Sequence, residues 1–415
     1  MKKIAAALCT LTLLVSFSAC GVEKPDLESV SEKAKSTEGS SAKETEKKAL
    51  TRKDSHIKGD LAKNFHVDVD IQGEKTSLPT YYLSRINLME DQIAEKLMSS
   101  SDRSRNDKED GVVVFTGDKE KLVIDLDGKG SNPDFPSPNL TYGLDKGKEY
   151  EAVVKGHVPY ESLDTDASKQ AVAKVREILD KLPIEYSDDF KVEKMNYDFL
   201  NDYYSMMVDP KGQSELPDEI KEQFDEAADM RSDNMLLLSE GKDAKLDKDF
   251  KFGKDDGCFI VTGNMKVNDM VISGMDFRPY SITAAVSSRG VEFLFIEDLY
   301  IPDNGSTASP IVTPEQAAEA VYKDFESSTN KDKYEAYING MSLTYTKELS
   351  TSDTSKTKLR PVWKCTMSIT NIDHGYATTS TCEVYADTGE MVSPYFQEYS
   401  NWDYPESSSE SEKGE

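Results

Sequence analysis

The sequence predicts an α+β fold made of two units, each a helix followed by an antiparallel sheet. Apolar residues recur at helical spacing in residues 168–182 and again in residues 314–325. Several runs of alternating or β-branched residues follow each helix, as in strands that pair in chain order. Residues 20–60, ahead of both units, are polar and poor in large apolar side chains, which is typical of a disordered tether. The last residues, 403–415, form a second polar and acidic stretch.

The predicted C-terminal unit covers residues 303–402 and has the clearest helix start. Thr313 and Gln316 form a capping box, in which each side chain bonds the other residue's backbone N–H, and Pro314 suits the first helical position. The side chains expected to face the core recur at helical spacing: Ala317, Ala318, Val321 and Phe325. Strands are expected at residues 341–349, 361–370 and 379–384, so the sheet would cover one face of the helix.

The predicted N-terminal unit covers residues 61–302. Its helices are expected at residues 88–97, 168–182 and 217–230, and Asp166 is expected to cap the second of them. Its strands are expected at residues 65–71, 112–116, 121–126, 258–262, 266–274, 280–287 and 291–299. A helix followed by strands in residues 168–299 repeats the layout of the C-terminal unit in a longer form.

Three segments near the C-terminus resemble a known domain type. They are residues 313–320 (TPEQAAEA), 359–365 (LRPVWKC) and 384–392 (VYADTGEMV). They are similar to PepSY-type domains of bacterial exported proteins, which open with a short Ala-rich helix and end in a strand leaving a Val-Asp-Ala-x-Thr-Gly-Glu-like turn. The resemblance implies a PepSY- or cystatin-like fold for the C-terminal unit and brings no activity with it. Asp387 and Gly389 are read as turn residues, since Asp bonds its own backbone and Gly permits positive φ.

Residues 1–19 have the pattern of a bacterial signal peptide. Lys2 and Lys3 precede a short apolar run at residues 4–15, which is shorter than the roughly 20 apolar residues that a spanning helix needs. Ser18 and Ala19 directly precede Cys20, which resembles the lipobox of bacterial lipoproteins, although Phe17 stands where an aliphatic residue is usual. The resemblance implies a palmitate-type diacylglyceryl group on Cys20, and hence attachment to the outer face of the cell membrane. The alternative is an ordinary cleaved signal peptide with Cys20 as a free thiol.

The whole layout also resembles a family of Gram-positive bacterial lipoproteins that has no assigned function. The formal net charge of −27 argues against nucleic acid or anionic lipid as a partner of the body, because both need basic patches. Cations and basic peptides would be attracted. No Gly-rich phosphate loop is present, and no cofactor is expected.

Three cysteines remain after the signal peptide and the anchor: Cys258, Cys365 and Cys382. An exported location permits disulfides. A hairpin that turns near residues 373–375 places Cys365 directly across from Cys382. The pair is therefore either a cross-strand disulfide, if the Cβ atoms come within about 4.5 Å, or two buried thiols. Cys258 is expected to sit inert in a strand.

Catalytic motifs are missing from the sequence. The four histidines, His56, His66, His157 and His374, are far apart, and no His-Glu-x-x-His, Cys-x-x-Cys or Gly-x-Ser-x-Gly run occurs. Asp125 and Asp127 have the spacing of calcium ligands, but Lys129 and Pro136 fall where an EF-hand needs oxygen ligands. The alternative is a plain turn after a strand.

Two aromatic groups stand out, and each suits either core packing or a binding groove. They are Tyr197, Phe199, Tyr203 and Tyr204, and then Tyr395, Phe396, Tyr399, Trp402 and Tyr404. The predicted function is a non-enzymatic cell-envelope lipoprotein that binds an extracellular peptide, protein or small ligand. One alternative is a cell-wall or glycan hydrolase with paired carboxylates in a cleft. Another is a protease-inhibitor-like module, which would use a protruding loop or a free sheet edge.

Overall fold

The computed structural model describes most of the chain between Leu50 and Phe396. Within that span it leaves out residues 109–110, 127–137, 155–156, 158, 160–161, 209–237, 239–245, 274–279, 298, 303–304, 349–357, 373–374 and 376. The predicted signal peptide, Cys20, the helix at 217–230 and the acidic tail therefore lie outside the described residues. Among the helices that are described, none has the length and apolar character needed to cross a membrane.

The described residues form an α+β structure with mixed and antiparallel sheets, as the sequence predicts at this level. In the part of the chain that is described, the α-helices are α1 (Glu90–Leu97), α2 (Gly147–Val154), α3 (Asp166–Leu179), α4 (Tyr197–Val208) and α5 (Pro314–Ser327). The strands up to residue 144 are β1 (Thr51–Lys53), β2 (His56–Ala62), β3 (Phe65–Gln72), β4 (Ser77–Leu78), β5 (Tyr81–Arg85), β6 (Ser104–Asp107), β7 (Val113–Thr116), β8 (Glu120–Asp125) and β9 (Asn139–Leu144). The later strands are β10 (Lys191–Met195), β11 (Cys258–Gly263), β12 (Lys266–Val267), β13 (Met270–Val271), β14 (Ile282–Ser287), β15 (Gly290–Glu297), β16 (Tyr300–Pro302), β17 (Ser309–Pro310), β18 (Tyr334–Glu348), β19 (Lys358–Asn371) and β20 (Ala377–Tyr385).

The first large sheet joins the two ends of the described chain. Its strands run in the order β1-β2-β3-β18-β19-β5-β16, and β20 pairs with β19 beside β5. The β3–β18 pair is parallel, and the other pairs are antiparallel. Strand pairing crosses the division predicted at residues 302 and 303, since β1–β3, β5 and β16 share a sheet with the C-terminal strands. Strand structure also begins at Thr51, within the predicted tether.

Helix α5 covers one face of the first sheet. The predicted capping box is confirmed: Gln316 N donates to Thr313 Oγ1 at 3.3 Å, and Thr313 N donates to Gln316 Oε1 at 2.8 Å. Alternation in β3 turns Phe65, Val67, Val69 and Ile71 towards this helix, and the ring of Phe65 contacts Tyr322 and Phe325. Trp363 of β19 is fully buried in the same core, where its Nε1 donates to Val312 O at 3.0 Å.

The second large sheet is antiparallel throughout and is covered on both faces. Its order is β10-β11-β14-β15-β9-β8-β7-β6. Helix α3 packs on one face, while α2 and α4 pack on the other. Central strands β14 and β15 are consequently buried on both sides, which explains their nearly continuous apolar sequence. The cap of α3 is Thr165, whose side chain accepts from Ser168 N, and Asp166 is the first helical residue, so the predicted cap is off by one position.

A short hairpin links the two sheets. Residues 266–274 do not form the single strand that the sequence predicts, because Asn268 and Asp269 adopt positive φ (51° and 65°) and turn β12 back on β13. After the hairpin, Ser273 N donates to Tyr345 O at 2.6 Å, and Lys364 Nζ donates to Ser273 Oγ at 3.0 Å. One continuous apolar core extends from α5 under the first sheet to α3 on the second.

Candidate functional site

The face of the first sheet opposite α5 is polar, and we call it the open face. It carries the side chains of β2, β3, β18, β19 and β20 that alternate with the buried ones. Strand register places one row of these residues side by side across five strands: Asp60, His66, Tyr337, Ser368 and Thr379. The open face is therefore a continuous polar surface on a rigid sheet.

An imidazole and a phenol ring form the centre of this row. The rings of His66 and Tyr337 stack with centroids 4.5 Å apart and an interplanar angle of 24°. His66 Nδ1 donates to Asp60 Oδ1 at 2.6 Å, and Nε2 lies 3.3 Å from Glu335 Oε1 without the alignment of a hydrogen bond. The Tyr337 hydroxyl donates to Glu335 Oε1 at 2.8 Å. Tyr337 as a whole residue is 36% exposed. The stacked pair thus presents an aromatic surface held in place by two carboxylates.

A second histidine lies on β2, near the same edge of the open face. His56 Nδ1 donates to Asp70 Oδ1 at 2.9 Å, and its Nε2 lies 3.2 Å from Asp68 Oδ1. Lys58 forms an ion pair with Asp68, and its hydrogen bond lowers the pKa of that carboxyl below the ordinary value. With Asp60 and Glu335, the part of the open face formed by β2, β3 and the start of β18 carries four carboxylates around two imidazoles and one ammonium group.

A cluster of two buried carboxylates and two partly exposed cations lies at the second sheet. Asp256 and Glu292 are both 2% exposed, and Arg289 bridges them at 2.8 and 2.7 Å. Lys146 Nζ and Gly253 N also donate to Asp256, at 2.5 and 2.6 Å. Burial alone would raise the pKa of Asp256, but the hydrogen bonds from Lys146, Gly253 and Arg289 bring the pKa below its ordinary value. Two carboxylates are thus paired with two cations, which is the arrangement of a structural ion-pair network.

A shallow cup of about 670 Å³ lies at the other end of the second sheet. Its lining includes four serines and two carboxylates: Ser99, Ser100, Ser101, Ser104, Asp102 and Asp118. Nearby, Glu120 is nearly buried and accepts from Ser99 Oγ and Ser100 N at 3.1 and 2.5 Å. These bonds fix the loop that forms the rim of the cup.

The structure places the predicted cysteine pair in register. Cys365 of β19 lies directly opposite Cys382 of β20, and both are buried free thiols. Cys258 lies in β11, where it is also buried, and burial raises its pKa to about 12. Cys20 lies outside the described residues, so lipid attachment stays a prediction.

The aromatic groups divide between core and partly buried positions. Tyr204 packs in the core beneath α4 with Phe250, Phe252 and Tyr150, whereas Phe199 and Tyr203 are partly buried beside His157. Phe396 is buried against Phe325. The remaining aromatic residues of the C-terminal group, at positions 399, 402 and 404, lie outside the described residues.

The acidic motifs have different surroundings. Asp387 accepts from Arg360 Nε and Nη2 at 3.2 and 2.7 Å, and Gly389 has φ of +75°, as expected of a turn. Asp125 is fully buried at the end of β8, opposite Asn139, while Asp127 lies outside the described residues. The calcium site therefore stays a prediction. In the part of the chain that is described, no group of three or more His, Cys, Asp or Glu residues is placed to hold a metal ion.

The open face is not among the sites predicted from the sequence. His56 and His66 are far apart in the chain, but the β2–β3 hairpin aligns His56 with Asp70 and Asp60 with His66. The alternating Phe-His-Val-Asp-Val-Asp pattern of β3 did contain a usable signal, because it places His66, Asp68 and Asp70 on a single face.

Comparisons with known proteins give a likeness of fold at most. No protein-family model matches the chain, and neither does any curated protein. A solved structure that is similar to the chain is that of an uncharacterized protein from Eubacterium rectale ATCC 33656. It is 12% identical with a TM-score of 0.45, and the match covers 82% of this chain and 93% of that one. At this similarity it supports no statement about activity or partners.

Proposed function

We propose that this protein is a non-enzymatic binding protein of the bacterial cell envelope, tethered to the outer face of the membrane by a lipid on Cys20. Its open face would bind a basic segment of an extracellular peptide or protein. Helix α5 and strands β18–β20 would form a PepSY- or cystatin-like unit that carries this surface. The observation that carries the proposal is the one-sided covering of the first sheet, whose other face displays the stacked His66–Tyr337 pair.

Charge and shape support a basic partner. Asp60, Asp68, Asp70 and Glu335 outnumber Lys58 on the part of the open face formed by β2, β3 and the start of β18, and the whole chain has a formal net charge of −27. Opposite charge speeds encounter and fixes orientation more than it adds affinity. The half-exposed Tyr337 adds a rigid aromatic contact of the kind that contributes most to protein interfaces.

The carboxylates of the described residues support binding better than hydrolysis. A glycosidase pair must reach the substrate with one acid protonated and the other ionised. Asp256 and Glu292 are buried and both form ion pairs with Arg289, so their role is structural and they are not placed to reach a substrate. The carboxylates of the open face are spread along strands and held by histidines or Lys58, which suits recognition of a cation.

Site-specific cross-linking on intact cells tests the open face. A photoreactive amino acid replaces Tyr337 in the full-length chain, and a matched chain carries it at Glu177, an exposed position on α3. We expect a discrete adduct from position 337 that weakens as salt is raised, because charge attraction is screened. Adducts of equal yield from both positions, or none from position 337, would contradict the assignment.

The anchor has its own test. Mass spectrometry of the mature N-terminal peptide should find Cys20 as the first residue with a diacylglyceryl group on its sulfur. The Cys20→Ala chain should lose membrane association on cell fractionation. An unmodified Cys20 at the mature N-terminus, or membrane association that survives the substitution, would refute the anchor while leaving the open face to be judged on the cross-linking.

A further inference from the structure

The backbone pairing of β19 and β20 brings two sulfur atoms together. Cys365 and Cys382 are directly opposed, and the Cys382 thiol also lies 3.9 Å from the sulfur of Met367. Both cysteines point to the α5 side of the sheet, since they alternate with exposed or half-buried neighbours and are themselves buried. No rearrangement of the strands is needed to make the two thiols neighbours.

The register of β19 and β20 decides whether Cys365 and Cys382 form a hydrogen-bonded or a non-hydrogen-bonded pair. Farther along the same register, Pro361 lies opposite Ala386, and Ala386 N donates to Pro361 O at 2.8 Å, so these two residues form a hydrogen-bonded pair. Alternation along the ladder makes Cys365–Cys382 a hydrogen-bonded pair as well, with a typical Cα separation of about 5.5 Å. That value lies inside the 4.4–6.8 Å range of disulfides. The Cβ atoms of such a pair must still approach by about 1 Å, which is easiest before α5 has packed over them.

The third described cysteine cannot compete for this pairing. Cys258 lies in β11 of the second sheet, in the core formed with α2 and α4. Cys365 and Cys382 belong to the core under α5. A disulfide among the three therefore has a single available combination.

Thiol chemistry sets when the bond can form. A hydrogen bond from Cys365, together with burial, raises the pKa of the Cys382 thiol well above its ordinary value. Since the thiolate is the species that attacks a disulfide, the folded and reduced protein should react slowly. In the unfolded chain both thiols are exposed to the oxidant.

We propose that Cys365 and Cys382 are joined by a disulfide that forms while the chain folds outside the cytoplasm. The oxidant is a disulfide-bearing oxidoreductase or small molecule. The two S–H bonds of the cysteines break and one S–S bond forms between them, while the S–S bond of the oxidant breaks. The two electrons and the two protons pass to the oxidant's sulfur atoms, which become two thiols. The inference rests on the export proposed above, because the cytoplasm keeps thiols reduced.

Refolding in vitro tests the chemistry independently of export. A full-length chain with Cys9→Ser and Cys20→Ser is unfolded under reducing conditions and refolded with a mixture of oxidised and reduced glutathione. Trypsin then releases Cys365 and Cys382 in one peptide, residues 365–413, and Cys258 in another, residues 255–266. We expect the first peptide to resist alkylation and to be two hydrogens lighter, and the second to be alkylated. Further cleavage before Asp373, Asp387 and Asp403 should leave residues 365–372 joined to residues 373–386, and these two fragments should separate only on reduction.

Controls separate the pair from general oxidation. Cys258→Ser should leave the yield of the disulfide unchanged, whereas Cys382→Ala should leave Cys365 open to alkylation. The oxidised wild-type chain should melt higher than the same chain with reductant, by on the order of 5 °C, because a closed loop restricts the unfolded state. Individually alkylated Cys365 and Cys382 after refolding, or a bond to Cys258, would overturn the proposal. If the bond forms in vitro but is missing from the chain taken from cells, the result contradicts the proposed export and supports the pairing of Cys365 with Cys382.

Discussion

The two large sheets have the same number of strands but differ in how they are covered. The first sheet has α5 on one side and the polar open face on the other. The second sheet is packed by α3 on one side and by α2 and α4 on the other, so β14 and β15 are buried on both faces. A sheet covered on both sides has no surface left for a partner, and a sheet covered on one side presents its second face.

Charge placement follows the same division. At the second sheet, the carboxylates of Asp256 and Glu292 are buried and both form ion pairs with Arg289, since a buried charge is costly without a partner. On the open face, the carboxylates of Asp60 and Asp70 are half or more exposed, so water stabilises them whether or not a histidine is bonded. Substitutions should therefore cost folding free energy in the second sheet and under α5, and cost binding on the open face.

The largest expected effect is on the covered side of the first sheet. Trp363→Ala should lower the free energy of unfolding by about 4 kcal/mol, because it leaves a cavity in the α5 core and removes the hydrogen bond to Val312 O. Urea denaturation followed by circular dichroism measures it. The matched change on the other face, Tyr337→Ala, should cost about 1 kcal/mol. Equal losses would mean that both faces of the first sheet are structural.

The next effect is on the buried charges of the second sheet. Arg289→Ala should lower the free energy of unfolding by about 3 kcal/mol, because Asp256 and Glu292 would stay buried with one cation fewer. Arg105→Ala is the control, since Arg105 pairs with the well-exposed Asp91 and Asp107 and should cost less than about 1 kcal/mol. If Arg289→Ala lowers the free energy of unfolding no more than Arg105→Ala does, water rather than Arg289 stabilises the two carboxylates.

The sequence predicts the features of the first sheet and its helix that depend on neighbouring residues. The α5 capping box and the Cys365–Cys382 register are local, since a cap spans four residues and a hairpin aligns residues about its own turn. The parallel β3–β18 pair instead joins Phe65 to Ala336, and no local pattern specifies a partner so distant in the chain. For the same reason, the sequence does not assign β1–β3 to the sheet that contains β18–β20, and it does not predict the open face that these strands form together.

The pH dependence of stability should distinguish two buried carboxyls beside the second sheet, Glu149 and Asp256. Burial raises the pKa of Glu149 in α2, so the protonated form favours the fold and stability falls as pH rises above the ordinary glutamate value. The pKa of Asp256 is lowered, so its contribution is present above the ordinary aspartate value and is lost in acid. Glu149→Gln should therefore stabilise the protein at pH 8, by less than Arg289→Ala destabilises it, and change little at pH 4. Thermal melts from about pH 2 to pH 8 measure both contributions, because the Asp256 contribution is lost only below the ordinary aspartate value. A loss of stability in Glu149→Gln at pH 8 would contradict the assignment.

The smallest expected effect on folding is on the open face itself. Asp60→Asn removes the carboxylate charge that faces His66 Nδ1 but keeps an oxygen that can accept its hydrogen, and Asp60 is about half exposed. Exposed ion pairs contribute about 0–1 kcal/mol, so urea denaturation should show a change of less than about 1 kcal/mol. The same substitution should reduce the cross-link yield from position 337, because it removes charge next to the stacked ring pair that would meet a basic partner. A cost as large as that of Arg289→Ala would make the open face a structural surface, and the distinction between the two sheets would then fail.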